Sequence, residues 1–297
     1  MNKNSLTLTV VANMTSNYSE TLGNIANVQK VFKNGKIYSM RSKESLKNAI
    51  MVQSGMYNDL QTQTDGAAQK LVNDEVTAST TRALEGGYLS TKGITYVRNS
   101  SFYLTDAVSC DSFVNETRFH NNLYLATNRA RALGITVQEG KGTSNEVGLM
   151  PFQYEYDKSL KVYSMTVDLT MIGKDSNFDT EEASSEEKAE RVISLINAVE
   201  NLSLTVKGNL DNAEPLFVVG GLSERKTHYF ENVVNVKANK LVISEDLKEK
   251  LNKGFKVGIL RGMVFENEEE IIDKLNPISV DEFFADLRNE VKTYYGC

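Results

Sequence analysis

The segment SSEEKAERVISLINAVENL, residues 184–202, constrains this chain more than any other stretch. Ser184 and Glu187 form a capping box at its start, and Ala189, Val192, Ile193, Ile196 and Val199 return to one side at helical spacing. A helix with one apolar stripe needs a surface to bury it on. The flanking sequence supplies that surface: FQYEYD and KVYSMTVDLTMI before it, and SLTVKG and EPLFVVGG after it, read as strands. The switch from period 2 to period 3.6 and back describes a helix laid on a sheet.

The same order begins earlier. LTLTVVAN sets Leu6, Leu8, Val10 and Ala12 on one side of a strand, the pattern of one buried face. A polar stretch follows from Asn13 to Asn27, and then VQKVF and KIYSM flank Asn34-Gly35, a hairpin signal. Ser42 is placed to cap a helix whose Leu46, Ala49, Ile50 and Gln53 share a face. Between about 55 and 150 the pattern loosens. It predicts a helix around Ala67–Leu84, a break at Gly86-Gly87, extended ITYV and SFYLTDAVS, and a helix NNLYLATNRARALG closed by Gly134. Further on, YFENVVNVK reads as a strand, Ser244 starts a short helix, and Ser279 with Glu282 caps the amphipathic FFADLRNEVKTYY. The fold class is α+β, a sheet with helices on one face, carrying insertions.

At 297 residues and 40% hydrophobic content, the chain fits one elaborated domain or two modest ones. Two cysteines, Cys110 and Cys297, are too few for a disulfide framework. No apolar run approaches a leader or a membrane span, so the expectation is a cytoplasmic protein with both thiols reduced.

The net charge of −6 hides an uneven distribution. Residues 175–190 set seven acids against Lys188, and residues 266–290 set nine against Lys274 and Arg288, leaving the rest of the chain at +7. Part of that excess is concentrated between residues 30 and 47, where Lys30, Lys33, Lys36, Arg41, Lys43 and Lys47 face only Glu44. Lys43 and Lys47 are four apart and share a side of the predicted helix. A helix N-terminus favours an anion through its free N–H groups and dipole, and Arg41, Ser42 and Lys43 add donors there. The physics alone leaves a phosphate site and a solvated basic face equally open.

Other chemistry is sparse. Gly140-Lys141 suggests a phosphate-binding loop, but five residues rather than four separate Gly134 from Gly140, and Gly142 stands where a Ser or Thr would hold magnesium. His120 and His228 are the only histidines, and the spacing of His120 from Asp111 and Glu116 does not support a metal site. Asp106 reads as a turn residue or as a nuclease-type acid. No catalytic constellation, metal site or cofactor motif emerges. Tyr18, Tyr38, Phe102 and Tyr103 lie near polar or basic residues, where exposed rings suit stacking on single-stranded bases and buried ones suit a core.

Taken in order, LTLTVVANMTSNY, KIYSMRSKESLKNAIM, FYLTDAVS and FVVGG resemble the DevR family of CRISPR-associated proteins, over nearly the whole chain and most strongly over residues 6–51. Those proteins form the repeating backbone of the type I-B Cascade surveillance complex. The resemblance implies an RRM-like (ferredoxin-like) palm from residues 1–54 and 150–297, with a thumb hairpin near 205–232 and an inserted fingers region at 55–149. It implies a non-catalytic subunit whose copies stack helically along one CRISPR RNA, hold its phosphates and leave most bases free for target DNA. The implied partners are that RNA, the target strand through guide pairing, further copies of the chain and other Cascade subunits, without a membrane. Ser42 and Lys47 are then expected on RNA phosphates, flanked by Arg41 and Lys43. Asn17 and Tyr18 match the family's N-Y element in the same groove, and Arg225 and Lys226 fall in the thumb turn. Glu44 departs from the Gln or basic residue common in relatives, and is expected to face solvent or to pair with Lys47. The acidic segments are expected to face solvent or the basic side of a neighbouring copy. Two other readings compete: a backbone nuclease that cleaves target RNA through an acid such as Asp106, and a structural filament without nucleic acid.

Overall fold

A computed structural model of the chain describes residues 3–19, 25–137 and 143–297. The Gly140-Lys141-Gly142 loop lies outside the described residues. Strand β1 (Ser5–Thr15) opens the fold, followed by β2 (Ile25–Ala26) and the hairpin of β3 (Lys30–Lys33) and β4 (Lys36–Arg41). Asn34 (φ 51) and Gly35 (φ 73) make the two-residue turn, both left-handed, as a type I′ hairpin requires. Helix α1 (Lys43–Gln53) follows at once.

The next hundred residues hold the hairpins β5 (Thr62–Asp65) with β6 (Ala67–Lys70) and β7 (Tyr88–Ser90) with β8 (Tyr96–Arg98). After them come β9 (Phe102–Leu104), β10 (Ala107–Ser109), β11 (Thr117–Asn121), α2 (Leu123–Leu133), α3 (Thr143–Glu146) and β12 (Pro151–Glu155). The chain then returns through β13 (Lys158–Asp168), α4 (Ser185–Glu200), the hairpin β14 (Ser203–Val206) with β15 (Asn209–Asn212), and β16 (Pro215–Ser223). It closes with β17 (Val236–Lys237), β18 (Lys240–Leu241), α5 (Glu245–Leu251), β19 (Lys256–Ile259), α6 (Glu268–Leu275), β20 (Ile278–Ser279) and α7 (Val280–Tyr295).

The main sheet runs β20-β19-β16-β1-β13-β10-β4-β3, with β9 also paired to β13. At its centre β1 is antiparallel to both β13 and β16, and β13 is antiparallel to β9. Leu6, Leu8, Val10, Ala12 and Met14 project from β1 into one core, where they meet Leu46 and Ile50 of α1, Val192 and Ile196 of α4, and Phe284 of α7. The opposite face is covered too, so the expectation of helices on one side only is corrected. Val11, Phe217, Val219 and Val257 pack there against Phe230, Leu247 of α5 and Ile271 of α6. The polar positions of β1 are therefore buried rather than solvated: Ser5 Oγ donates to Arg225 O, Thr7 Oγ1 donates to Thr227 O, and the Tyr229 N–H donates to Thr7 Oγ1.

This second layer explains why YFENVVNVK is not the strand its pattern predicts. Tyr229 and Phe230 anchor the chain over the polar side of β1, and only Val236–Lys237 pairs as a strand. The helix predicted over Ala67–Leu84 is also absent. Gly66 (φ 66) turns β5 into β6, and Asn73 Oδ1 accepts the N–H groups of Glu75 and Val76. Such local side-chain bonds compete with a helix. Only a 3₁₀ turn survives, at Arg82–Gly86, where Asp59 accepts from the N–H groups of Arg82 and Ala83.

The segment 205–232, expected as one thumb hairpin, divides differently. A hairpin ends at Asn212, and the next strand, β16, is a central strand of the main sheet. At Gly220 a Cβ would stand 2.0 Å from the Thr7 carbonyl oxygen, so β16 lies against β1 closer than any side chain allows. Within 55–149, expected as an inserted fingers region, β9 and β10 join the main sheet. Its Glu85 lies between Arg98 and Arg191 of α4, with ion-pair distances of 3.1 and 2.8 Å.

Candidate nucleic-acid interface

The cation-rich junction lies where the end of β1, the end of β4 and the start of α1 converge. Ser42 is extended (φ −64, ψ 148), and its Oγ accepts the Ser45 N–H. Asn17 Oδ1 accepts the Ser42 N–H at 2.7 Å, which fastens the loop after β1 to the helix start. The Lys43 N–H, a donor expected to be open to an anion, instead meets Asp106 Oδ1 at 2.7 Å. Asp106 thus holds the helix terminus with its own carboxylate, a position for negative charge that the dipole favours.

Arg41 is only 4% exposed. Its Nε donates to Thr15 O at 3.1 Å and its Nη1 to Ser45 Oγ at 2.8 Å. Its Nη2 and the adjacent Thr15 Oγ1 are buried and have no hydrogen-bond partner among the described residues. Burial pulls the guanidinium down to about 10, an effect Asp211 partly opposes. Asp211 sits on β15, where Oδ2 accepts the Thr15 N–H at 2.7 Å and Oδ1 pairs with Lys158 at 3.2 Å. The β14–β15 hairpin is thereby docked on the junction, and its turn residue Lys207 (φ 49) places Nζ 5.1 Å from the Tyr18 ring centroid.

Tyr18 is anchored rather than free: its hydroxyl donates to Glu155 O at 2.8 Å and its ring meets Tyr154 edge-on at 6.0 Å. Burial, with Tyr154 nearby, pushes its phenol up to about 12. Lys43 extends outward with its side chain 59% exposed, 3.8 Å from Glu44, which is 72% exposed. Glu44 therefore faces solvent beside Lys43.

Lys47 departs from its expected role on a phosphate. Its Nζ turns inward to donate to Gly86 O at 2.8 Å and Ser100 Oγ at 2.9 Å, 4.9 Å from the Phe102 ring centroid. Phe102 itself is fully buried, a core ring and not a stacking surface. Lys70 behaves like Lys47, donating to the Ala83 and Gly87 carbonyls at 2.7 and 2.9 Å. Burial lowers both lysines to about 8.

Arg225 and Lys226 lie at the far end of β1, beside Ser5, whereas the junction sits beside Thr15. Eleven strand residues separate the two places by ~33 Å at ~3.3 Å per residue. Lys226 is also committed to Asp168 Oδ2 at 2.6 Å, while Arg225 stands exposed with its guanidinium 5.8 Å from the Tyr229 ring centroid. The structure thus gathers Asn17, Tyr18, Arg41, Ser42 and Lys43, turns Lys47 inward, and sets Arg225 and Lys226 apart. It adds Lys207, which sequence reasoning missed although the Lys207-Gly208 pair marks a turn.

Among the described residues, no group of three or more His, Cys, Asp and Glu side chains could hold a metal ion. His120 stacks on aromatic rings, and Glu116 pairs with Arg118. Among the same residues, no helix is long and apolar enough to cross a membrane.

A family model described as CRISPR-associated negative auto-regulator DevR/Csa2 matches residues 6–246 of this chain. No curated protein matches it in sequence at comparable significance. Among solved structures, a chain described as "CRISPR RNA-guided surveillance complex, pre-nicking" is similar at TM-score 0.61 and 8% identity, covering 95% of this chain and 100% of that one. Another, described as "CRISPR RNA-guided surveillance complex", is similar at TM-score 0.54 and 12% identity, covering 95% and 99%. At these identities the likeness is one of fold.

Proposed function

This chain belongs to the CRISPR-associated DevR/Csa2 family, and from that membership we propose that it is a non-catalytic backbone subunit of a type I-B Cascade complex in the cytoplasm. In this reading copies stack helically along one CRISPR RNA, hold its sugar-phosphate backbone, and present the spacer for pairing with target DNA beside other Cascade subunits. The strands and helices β1, α1, β9, β13, α4 and β16 follow the β-α-β-β-α-β order of a ferredoxin-like palm, which supports reading the main sheet as RRM-like. The β14–β15 hairpin is then the better candidate for the thumb, and the stretch through β12 for the fingers.

The observation that carries the RNA reading is the exposed charge around the start of α1, where Lys43 extends into solvent and exposed Lys207 stands over Tyr18. Arg41 lies beneath them, and its buried guanidinium, bonded to Thr15 O and Ser45 Oγ, fixes the end of β4 against β1. Lys43 and Lys207 supply the outer charge. The competing nuclease reading gains nothing from Asp106, whose carboxylate is committed to the Lys43 N–H.

The test is salt-dependent binding of single-stranded RNA to the purified chain. Phosphate contacts release counterions, so Lys43→Ala with Lys207→Ala is expected to weaken binding across unrelated sequences and to lower the slope of log K against log salt by about 1 per lost contact. An unchanged slope would remove these two residues from the interface. Purification of the native complex without RNA would remove the function itself.

A further inference from the structure

The small sheet of β11, β12 and β2 carries a feature that the phosphate junction does not use. Its register sets His120 opposite Phe152 and Arg118 opposite Tyr154, so these four side chains share one face. The His120 ring lies 5.6 Å from Phe152 and 5.0 Å from Tyr154, with interplanar angles of 18° and 11°. Phe152 and Tyr154 are 6.4 Å apart at 18°. Three rings on two strands therefore hold nearly one orientation. Phe152 is 40% exposed and His120 is exposed, while Tyr154 is buried at 7% and serves as the fixed support. At the margin Arg118 stacks on Tyr156, 3.5 Å from its ring centroid.

We propose that this face is a stacking platform for bases of single-stranded RNA. Parallel aromatic rings, fixed by a sheet and flanked by cations, offer π-faces that any base can use. The platform is continuous with the junction: Asn17 bonds the start of α1, the next residue Tyr18 meets Tyr154, and Tyr154 adjoins His120. Charge agrees with an RNA occupant. Lys207 stands over Tyr18, and Glu155 of β12 is taken up by the Val28 N–H and by Lys30, at 2.6 Å. The proposal rests on the RNA-binding reading and extends it from phosphates to bases.

The experiment uses the full chain and single-stranded RNA carrying 2-aminopurine. It compares wild type, His120→Ala/Phe152→Ala and His120→Tyr/Phe152→Tyr, with thermal midpoints confirming that each is folded. The alanine pair is expected to lose about tenfold or more in affinity at every salt concentration with an unchanged salt slope, and to lose the fluorescence quench. The tyrosine pair is expected to keep both. Ultraviolet crosslinking of wild-type protein to 4-thiouridine RNA should place adducts on the His120 or Phe152 peptide, a readout independent of any variant. Unchanged affinity and quench in the alanine pair, or crosslinks confined to other peptides, would overturn the platform while leaving the phosphate site standing. The platform is also overturned if the alanine pair binds RNA normally but loses self-association, because the face is then a protein contact. If wild type binds no single-stranded RNA, the RNA-binding reading fails with it.

Discussion

Lys43 and Lys47, four residues apart on one helix, have opposite fates. Lys43 extends into solvent at the first turn, whereas Lys47 is drawn under Gly86 and Ser100. Spacing predicts that two cations share a side, but it cannot say what packs against that side. The buried amine has a thermodynamic signature. Its proton is held more weakly in the folded protein, with a pKa of about 8 against the ordinary 10.5, so between those values the unfolded chain binds more protons. Stability should therefore rise with pH across that window, since the charge penalty present below pH 8 disappears above 10.5. A neutral amine still donates to Gly86 O and Ser100 Oγ. Urea midpoints measured from pH 7 to pH 10 should rise more for wild type than for Lys47→Met, and parallel profiles would show that Lys47 is not desolvated as described.

Single elements were the most legible part of the sequence. All four serines read as helix caps act as caps: the Oγ atoms of Ser42, Ser184, Ser244 and Ser279 each accept an N–H three residues on. Gly134 closes α2 with φ 67. These motifs are local, so tertiary context has little to override. The helix expected over Ala67–Leu84 failed because Asn, Thr and Gly turn chemistry outcompeted an apolar spacing. At α1 the sequence identified the cap but not Asp106, which arrives from a loop sixty-three residues away. Replacing Asp106 with Ala should cost about 1 kcal/mol of stability, the usual loss for an N-terminal acceptor. The nuclease reading expects a different loss: magnesium-dependent cleavage of complementary RNA, abolished in Asp106→Ala.

Across the whole molecule, the acidic excess of residues 175–190 is not the free face that charge counting suggests. Asp175 accepts the Ala78 N–H and the Tyr88 hydroxyl, Glu187 pairs with Arg82 and Arg191, and Glu182 pairs with Lys174 and Lys188. Hydrogen bonds from those two lysines hold Glu182 down at about 2. Three of these contacts, two at Asp175 and one from Glu187 to Arg82, tie the inserted region to α4 and the loop before it, as does the fully buried Glu85 between Arg98 and Arg191. Removing one member of a buried ion network strands its partners, at about 3–5 kcal/mol. Glu85→Ala should therefore lower the denaturation midpoint of the whole chain in a single transition. A separate early transition for residues 55–149 would show that the insertion folds independently.

By itself the sequence determined the α+β class, the hairpin at Asn34-Gly35, the four serine-capped helix starts and the clustering of cations before α1, because each depends on neighbours within a few residues. Tertiary structure alone decided which cations stay outside. It buried Arg41, turned Lys47 inward, paired Lys226 with Asp168, brought Lys207 to Tyr18, and set His120 between rings on the adjacent strand. Those outcomes depend on burial and on partners dozens to hundreds of residues away. A charge's availability to a ligand is fixed by what the fold places beside it.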